Sequence, residues 1–87
     1  MKYKLLFEEE AKKDFQKLPK HIQVLIREKL LILAQNPNLL KNNIKSLKGK
    51  YKGLKRLRVG KYRVIFQQKD KELIILIIRI AHRGEVY

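Results

Sequence analysis

The 87-residue sequence carries 22 lysines and arginines against eight acids, a net charge of +14, with 45% hydrophobic residues and no cysteine. That length suits one domain, residues 1–87, with a modest core; the apolar content excludes a disordered chain, and the missing thiols exclude disulfide staples and thiolate chemistry. The charge is focused, because residues 41–69 hold eleven of the cations and no acid, and a field of that kind captures polyanions.

The opening "MKYKLLFEEE" has an apolar run too short for a secretion signal, and acids follow at once. The longest apolar run, Leu73 to Ile78, falls far short of a membrane span. A soluble, cytoplasmic protein with no membrane partner is expected. "YKLLF" (3–7) reads as a first strand. In "EEEAKKDFQKL" (8–18) acids lead, where the helix dipole favours them, and Ala11, Phe15 and Leu18 keep helical spacing. Pro19 breaks that helix and a second runs to Gln35, its apolar stripe built from Ile22, Leu25, Ile26, Leu30 and Leu33 and broadened by Leu31 and Ile32. "NPN" (36–38) ends it, and Leu39 to Gly49 reads as a polar connection. Three strands follow, at about 52–59, 62–68 and 73–81. The order β-α-α-β-β-β predicts an α+β fold with a helix pair packed on one face of a mostly antiparallel sheet.

The stretch "GLKRLRVGKYRVIF" (53–66) holds five cations and no acid. Gly60 and Lys61 suit a two-residue type II′ hairpin loop. That loop sets Val59 opposite Tyr62, Arg58 opposite Arg63, Leu57 opposite Val64 and Arg56 opposite Ile65. One face then shows Leu57, Val59, Tyr62, Val64 and Phe66, and the other gathers Arg56, Arg58 and Arg63. In the last strand the even positions Ile74, Leu76, Ile78 and Ile80 form an apolar row for the core, which sends Arg79 to the arginine face if no bulge intervenes. Guanidinium forks hold phosphate oxygens bidentately and keep their charge, so this face suits a nucleic-acid backbone or a phosphoryl transition state. A merely solvated face would mix its signs. His82 can shuttle protons near neutral pH, and Tyr87 can do so where cations depress its pKa. Tyr51 and Tyr62 are candidates for stacking on bases. No His, Cys or carboxylate set has metal-ligand spacing, and no glycine-rich nucleotide cradle is present.

A helix pair joined through "KLP" (17–19), "LKG" (47–49), "LRVGKYRVIF" (57–66) and a terminal "HRGEVY" (82–87) resemble the RelE/ParE superfamily of toxin–antitoxin toxins over nearly the whole chain. The resemblance implies a compact, microbial-ribonuclease-like fold and a RelE-type toxin that enters the ribosomal A site and cuts mRNA there. Such toxins use the RNA's own 2′-hydroxyl as nucleophile, leave a 2′,3′-cyclic phosphate, and need no metal or cofactor. A RelB-like antitoxin with an acidic or amphipathic segment wraps the toxin. By position, the catalytic residues are expected to be Arg56, Arg63, His82, Arg83 and Tyr87. The expected RNA-binding side chains are Lys48, Lys50, Lys52, Lys55, Arg58, Lys61 and Arg79. Leu54 stands where some RelE-type members carry an active-site lysine. ParE-type members of the superfamily poison DNA gyrase on the same fold, and a non-catalytic RNA-binding relative is the third alternative.

Overall fold

In the computed structural model, which describes residues 2–83, five strands form one sheet. They are β1 (Lys4–Phe7), β2 (Ile44–Ser46), β3 (Lys55–Val59), β4 (Tyr62–Lys69) and β5 (Ile74–His82). Their spatial order is β1-β5-β4-β3-β2, with β1 parallel to β5 and every other neighbour antiparallel. Two helices, α1 (Glu9–Gln16) and α2 (Lys20–Gln35), follow β1 and cover one face. The expected α+β architecture, with a helix pair on a mostly antiparallel sheet, is the one observed.

The helices form where the sequence punctuates them. Glu9 and Glu10 occupy the first turn of α1, and Pro19 is the residue that caps α2. The Gln23 side-chain amide donates to the carbonyls of Phe15 (2.9 Å) and Leu18 (3.2 Å), which stitches the end of α1 to α2. Ala11, Ile26, Leu30 and Leu33 pack on Leu57, Val64, Phe66, Ile75, Ile77 and Ile80 from the sheet. The apolar stripe of α2 is narrower than its sequence suggests: Leu25, Leu31 and Ile32 are exposed, Leu31 by 58%.

Two other expectations are corrected. The segment read as a polar connection contains 3-10 turns across Pro37–Asn43 and the edge strand β2. The Asn36 side chain accepts from the Asn38 amide (3.1 Å) and starts those turns, whose fold-back delivers Ile44 opposite Leu57 and Lys45 opposite Arg56. In β5 the pairing steps from Ile65–Arg79 to Phe66–Ile77, leaving Ile78 as the extra residue of a bulge. The bulge swaps faces, so Ile75 and Ile77 are buried with Ile80, whereas Ile74, Leu76 and Ile78 are only half-buried. Among the described residues no helix is long and apolar enough to cross a membrane.

Candidate nucleic-acid interface

The β3–β4 hairpin has the register its turn dictates: Val59–Tyr62, Arg58–Arg63, Leu57–Val64 and Arg56–Ile65. Gly60 sits at φ +59° while Lys61 stays at negative φ, as a type II′ loop requires. Leu57, Val59, Val64 and Phe66 are buried against the helices, and Tyr62 packs beside them. The opposite face carries the cations. β2 sets Lys45 beside Arg56, and the amide of Arg83 donates to the Lys61 carbonyl (2.7 Å), extending β5 past its last paired residue.

These constraints converge on a groove of ≈ 570 Å³ lined by Lys45, Ser46, Leu47, Lys48, Arg56, Arg63 and Arg83, with no acid in its wall. Arg63 is held in place, its Nη1 donating to the carbonyls of Gly60 (3.1 Å) and Tyr62 (3.0 Å). Five cations on one concave wall, Arg63 among them tethered, can hold a phosphodiester and carry the extra charge of its transition state.

The other expected residues are dispersed. Arg58 does not join Arg56 and Arg63; it lines a separate pocket with Leu25, Lys29 and Leu40. Arg58 stands directly opposite Arg63, and like charges so placed repel, so the two guanidinium groups part. The Lys55 ammonium donates to Gln68 Oε1 (3.2 Å), and Lys55 lines a small pocket with Ile44 and Pro37, outside the cationic groove. Lys50 lies over the ring of Tyr51, its Nζ 5.3 Å from the centroid. Lys52 and Lys61 are exposed, in the loop before β3 and at the hairpin turn. Tyr87 lies outside the described residues.

A second groove, of ≈ 670 Å³, is lined on the sheet side by Tyr51, Tyr62, Ile65, Ile78, Arg79 and His82, and on the helix side by Asp14, Lys17, Leu18 and Pro19. His82 is here and not in the cationic groove. Its ring meets Tyr62 edge-to-face with centroids 5.3 Å apart, and its Nδ1 lies 3.3 Å from the Arg83 carbonyl. His82 pairs with Tyr62 and meets its ring in this groove, whereas Arg83, just past the last paired residue, lines the cationic one. Arg79 is engaged by Asp14: its Nε and Nη2 donate to the carboxylate at 2.8 and 3.2 Å. The same carboxylate accepts from the Ile80 amide (2.9 Å), at an edge of β5 that β1 leaves uncovered. Burial works against the Asp14 charge, but the Arg79 and Ile80 hydrogen bonds and the nearby Arg79 and Lys17 charges together hold its pKa below the usual carboxylate value. Asp14 in turn raises the Arg79 pKa.

Sequence reasoning missed Lys45 in the cationic groove and Asp14 as the anchor of Arg79. Lys45 sits in a three-residue strand too short to show a period, and only the acid-free run of residues 41–69 hinted at it. Asp14 looks like one more helix acid until β5 is packed against α1. No three His or carboxylate side chains come together among the described residues to hold a metal ion.

Residues 5–87 match the family model described as the ParE toxin of type II toxin–antitoxin systems, parDE. The chain is 34% identical to a RelE-like toxin protein of Escherichia coli and 29% identical to the mRNA interferase toxin RelE of E. coli K12, each match covering 100% of this chain and 92% of the relative. The RelBE2 toxin–antitoxin complex of Mycobacterium tuberculosis contains a chain that superposes with a TM-score of 0.83 at 27% identity, over 95% of this chain and 100% of that one. The archaeal RelE–RelB complex of Pyrococcus horikoshii gives 0.80 at 30% identity, over 99% and 100%. Sequence, fold and the acid-free groove agree: the chain belongs to the RelE/ParE superfamily and is a RelE-like toxin of a type II toxin–antitoxin system.

Proposed function

We propose that this toxin is an endoribonuclease that cuts mRNA on the ribosome without a metal ion, using the 2′-hydroxyl of the RNA as nucleophile. The observation that carries this reading is the single groove that unites Arg56, Arg63 and Arg83 with Lys45 and Lys48. Arg56 and Arg63 hold the scissile phosphate, and Arg83 stabilises the pentacovalent transition state. Tyr87 takes the 2′-hydroxyl proton, the 2′-oxygen attacks phosphorus, and the bond to the 5′-oxygen breaks. A lysine ammonium of the groove, Lys45 or Lys48, protonates that leaving oxygen. His82, facing Tyr62 in the neighbouring groove, is assigned to the flanking RNA and not to the proton transfer. Relatives named mRNA interferase, at 29% identity, support action on mRNA.

The partner in this reading is a RelB-like antitoxin, as in the neighbouring toxin–antitoxin complexes. An acidic amphipathic segment would answer both the net charge of +14 and the exposed Leu25, Leu31 and Ile32 of α2. Translation of a defined mRNA in vitro, with the 5′ ends mapped, tests the activity. Wild type should cut in codon register, and the Arg63→Ala/Arg83→Ala double variant should lose cutting by at least about 100-fold, the order expected for removing transition-state donors. Equal cutting by both proteins would overturn the assignment. The ParE family match favours gyrase poisoning as the second reading, which predicts inhibited DNA supercoiling and intact mRNA.

A further inference from the structure

The second groove has no role in the chemistry above, yet it adjoins the phosphate-holding one. Arg56 of the cationic groove and Ile65 of the second groove are direct cross-strand partners, so the two sites meet across one strand spacing of about 4.8 Å. The loop between β2 and β3 spans both: Lys48 lines the first groove and Tyr51 the second. That loop is braced by its own backbone. The Tyr51 amide donates to the Lys48 carbonyl (3.3 Å), the Leu54 amide to the Tyr51 carbonyl (3.0 Å), and the Leu47 amide to the Leu54 carbonyl (3.0 Å). Gly53, at φ +93°, makes the bend that returns the chain to β3, a conformation few side chains tolerate. Ile65 and the bulged Ile78 give the groove apolar lining alongside Tyr51. The groove also holds Tyr62, His82, Lys17 and the Asp14–Arg79 ion pair.

We infer that this second groove is a nucleobase-binding subsite, in which Tyr51 stacks on a base of the single-stranded RNA whose phosphate lies in the Arg56/Arg63/Arg83 groove. The inference rests on the ribonuclease reading for its ligand and adds the part of the substrate that the phosphate groove does not touch. An aromatic ring in a groove with apolar lining, with the ammonium groups of Lys17 and Lys50 at hand and a phosphate site alongside, is the combination that single-stranded nucleic acids use, because every base has a π-face and every phosphate a charge. Lys50 already sits over the Tyr51 ring. When a base takes its place, the ammonium moves to the adjoining phosphate, so one cation–π contact is exchanged for a stack and an ion pair. Tyr51 is thus a base-contacting residue that fixes the register of the strand, and it takes no part in proton transfer.

The test compares single variants on intact and abasic RNA by fluorescence anisotropy. Wild type, Tyr51→Ala and Tyr51→Phe are each titrated with a short labelled single-stranded RNA and with the same strand carrying abasic sites, which keeps the phosphates and removes the bases. Wild type should bind the intact strand roughly 5- to 150-fold more tightly than the abasic one. Tyr51→Ala should bind the two alike, and Tyr51→Phe, which keeps the ring, should behave as wild type. A thermal melt of each variant confirms that it is folded. Equal wild-type affinity for intact and abasic strands overturns the subsite while leaving the cationic groove in place. A preference for intact RNA that survives in Tyr51→Ala overturns the assignment to Tyr51. Failure of wild type to bind either strand overturns the subsite together with RNA recognition, whereas the mRNA cleavage map judges the ribonuclease reading separately.

Discussion

Asp14 shows how one side chain serves both strand edge and site wall. β1 pairs with β5 only from Ile74 to Ile77, so the next stretch of that edge needs another acceptor for its amides. The Asp14 side chain, 14% exposed, supplies it to Ile80 and grips Arg79 at the same time. Replacing it with Ala strands a part-buried N–H and a guanidinium, at a cost of about 1–3 kcal/mol in urea unfolding. Asn keeps an acceptor for Ile80 and should lose less. Asp70 is a second such carboxylate, accepting from Tyr3 Oη (2.7 Å) and Gln68 Nε2 (2.9 Å). The Tyr3 hydrogen bond, followed by that from Gln68, lowers its pKa. A carboxyl depressed on folding contributes stability that is complete above its unfolded value, near 3.9, and disappears as pH falls through the lower folded value. Wild type should therefore lose stability between roughly pH 5 and pH 2, and Asp14→Asn should show a shallower decline over that window. Identical acid profiles for the two proteins would mean that the Asp14 charge does not contribute.

The β3–β4 hairpin is the element on which the cationic groove depends. Its turn sets the register that brings Arg63 to the groove, and its Lys61 carbonyl anchors the chain at Arg83. A Cβ added at Gly60 would meet nothing within 4 Å, so an alanine there suffers only from its backbone at φ +59°. Gly60→Ala should lower stability by about 1–2 kcal/mol, read as a shift in the urea midpoint with an unchanged slope. A slope that also changes would indicate a remodelled hairpin. This element was legible in the sequence because a two-residue loop and a period of two leave a single register. The bulge in β5 was not, because "LIILIIRIA" is apolar on both faces and nothing in it marks where the alternation slips. β2 was hidden for a different reason: three residues carry no period, and pairing with β3 alone defines it. The site divides along the same line. Arg56 and Arg63 follow from the hairpin, whereas Lys45, the parting of Arg58 from Arg63 and the separation of His82 from Arg83 depend on contacts between elements.

Across the whole molecule, the fold turns an uneven charge along the chain into an uneven charge over the surface. Glu9 and Glu10 stand in the first turn of α1, while β2, the loop before β3 and the hairpin carry the acid-free run. Two accounts of RNA binding then make different forecasts. If the net charge of +14 acts as a diffuse field, any lysine contributes about as much as any other. If the groove captures phosphates one by one, only its own cations release counterions. Its five, Lys45, Lys48, Arg56, Arg63 and Arg83, with Lys50 once a base displaces it, give a slope of log K against log salt of roughly −4 for single-stranded RNA. Lys45→Ala should reduce that slope by about 0.7. Lys20→Ala, which removes the same charge at the exposed start of α2, should leave the slope unchanged. Affinity measured across a salt series for the three proteins decides between them. Equal reductions in the two variants would assign binding to the net charge and not to the groove.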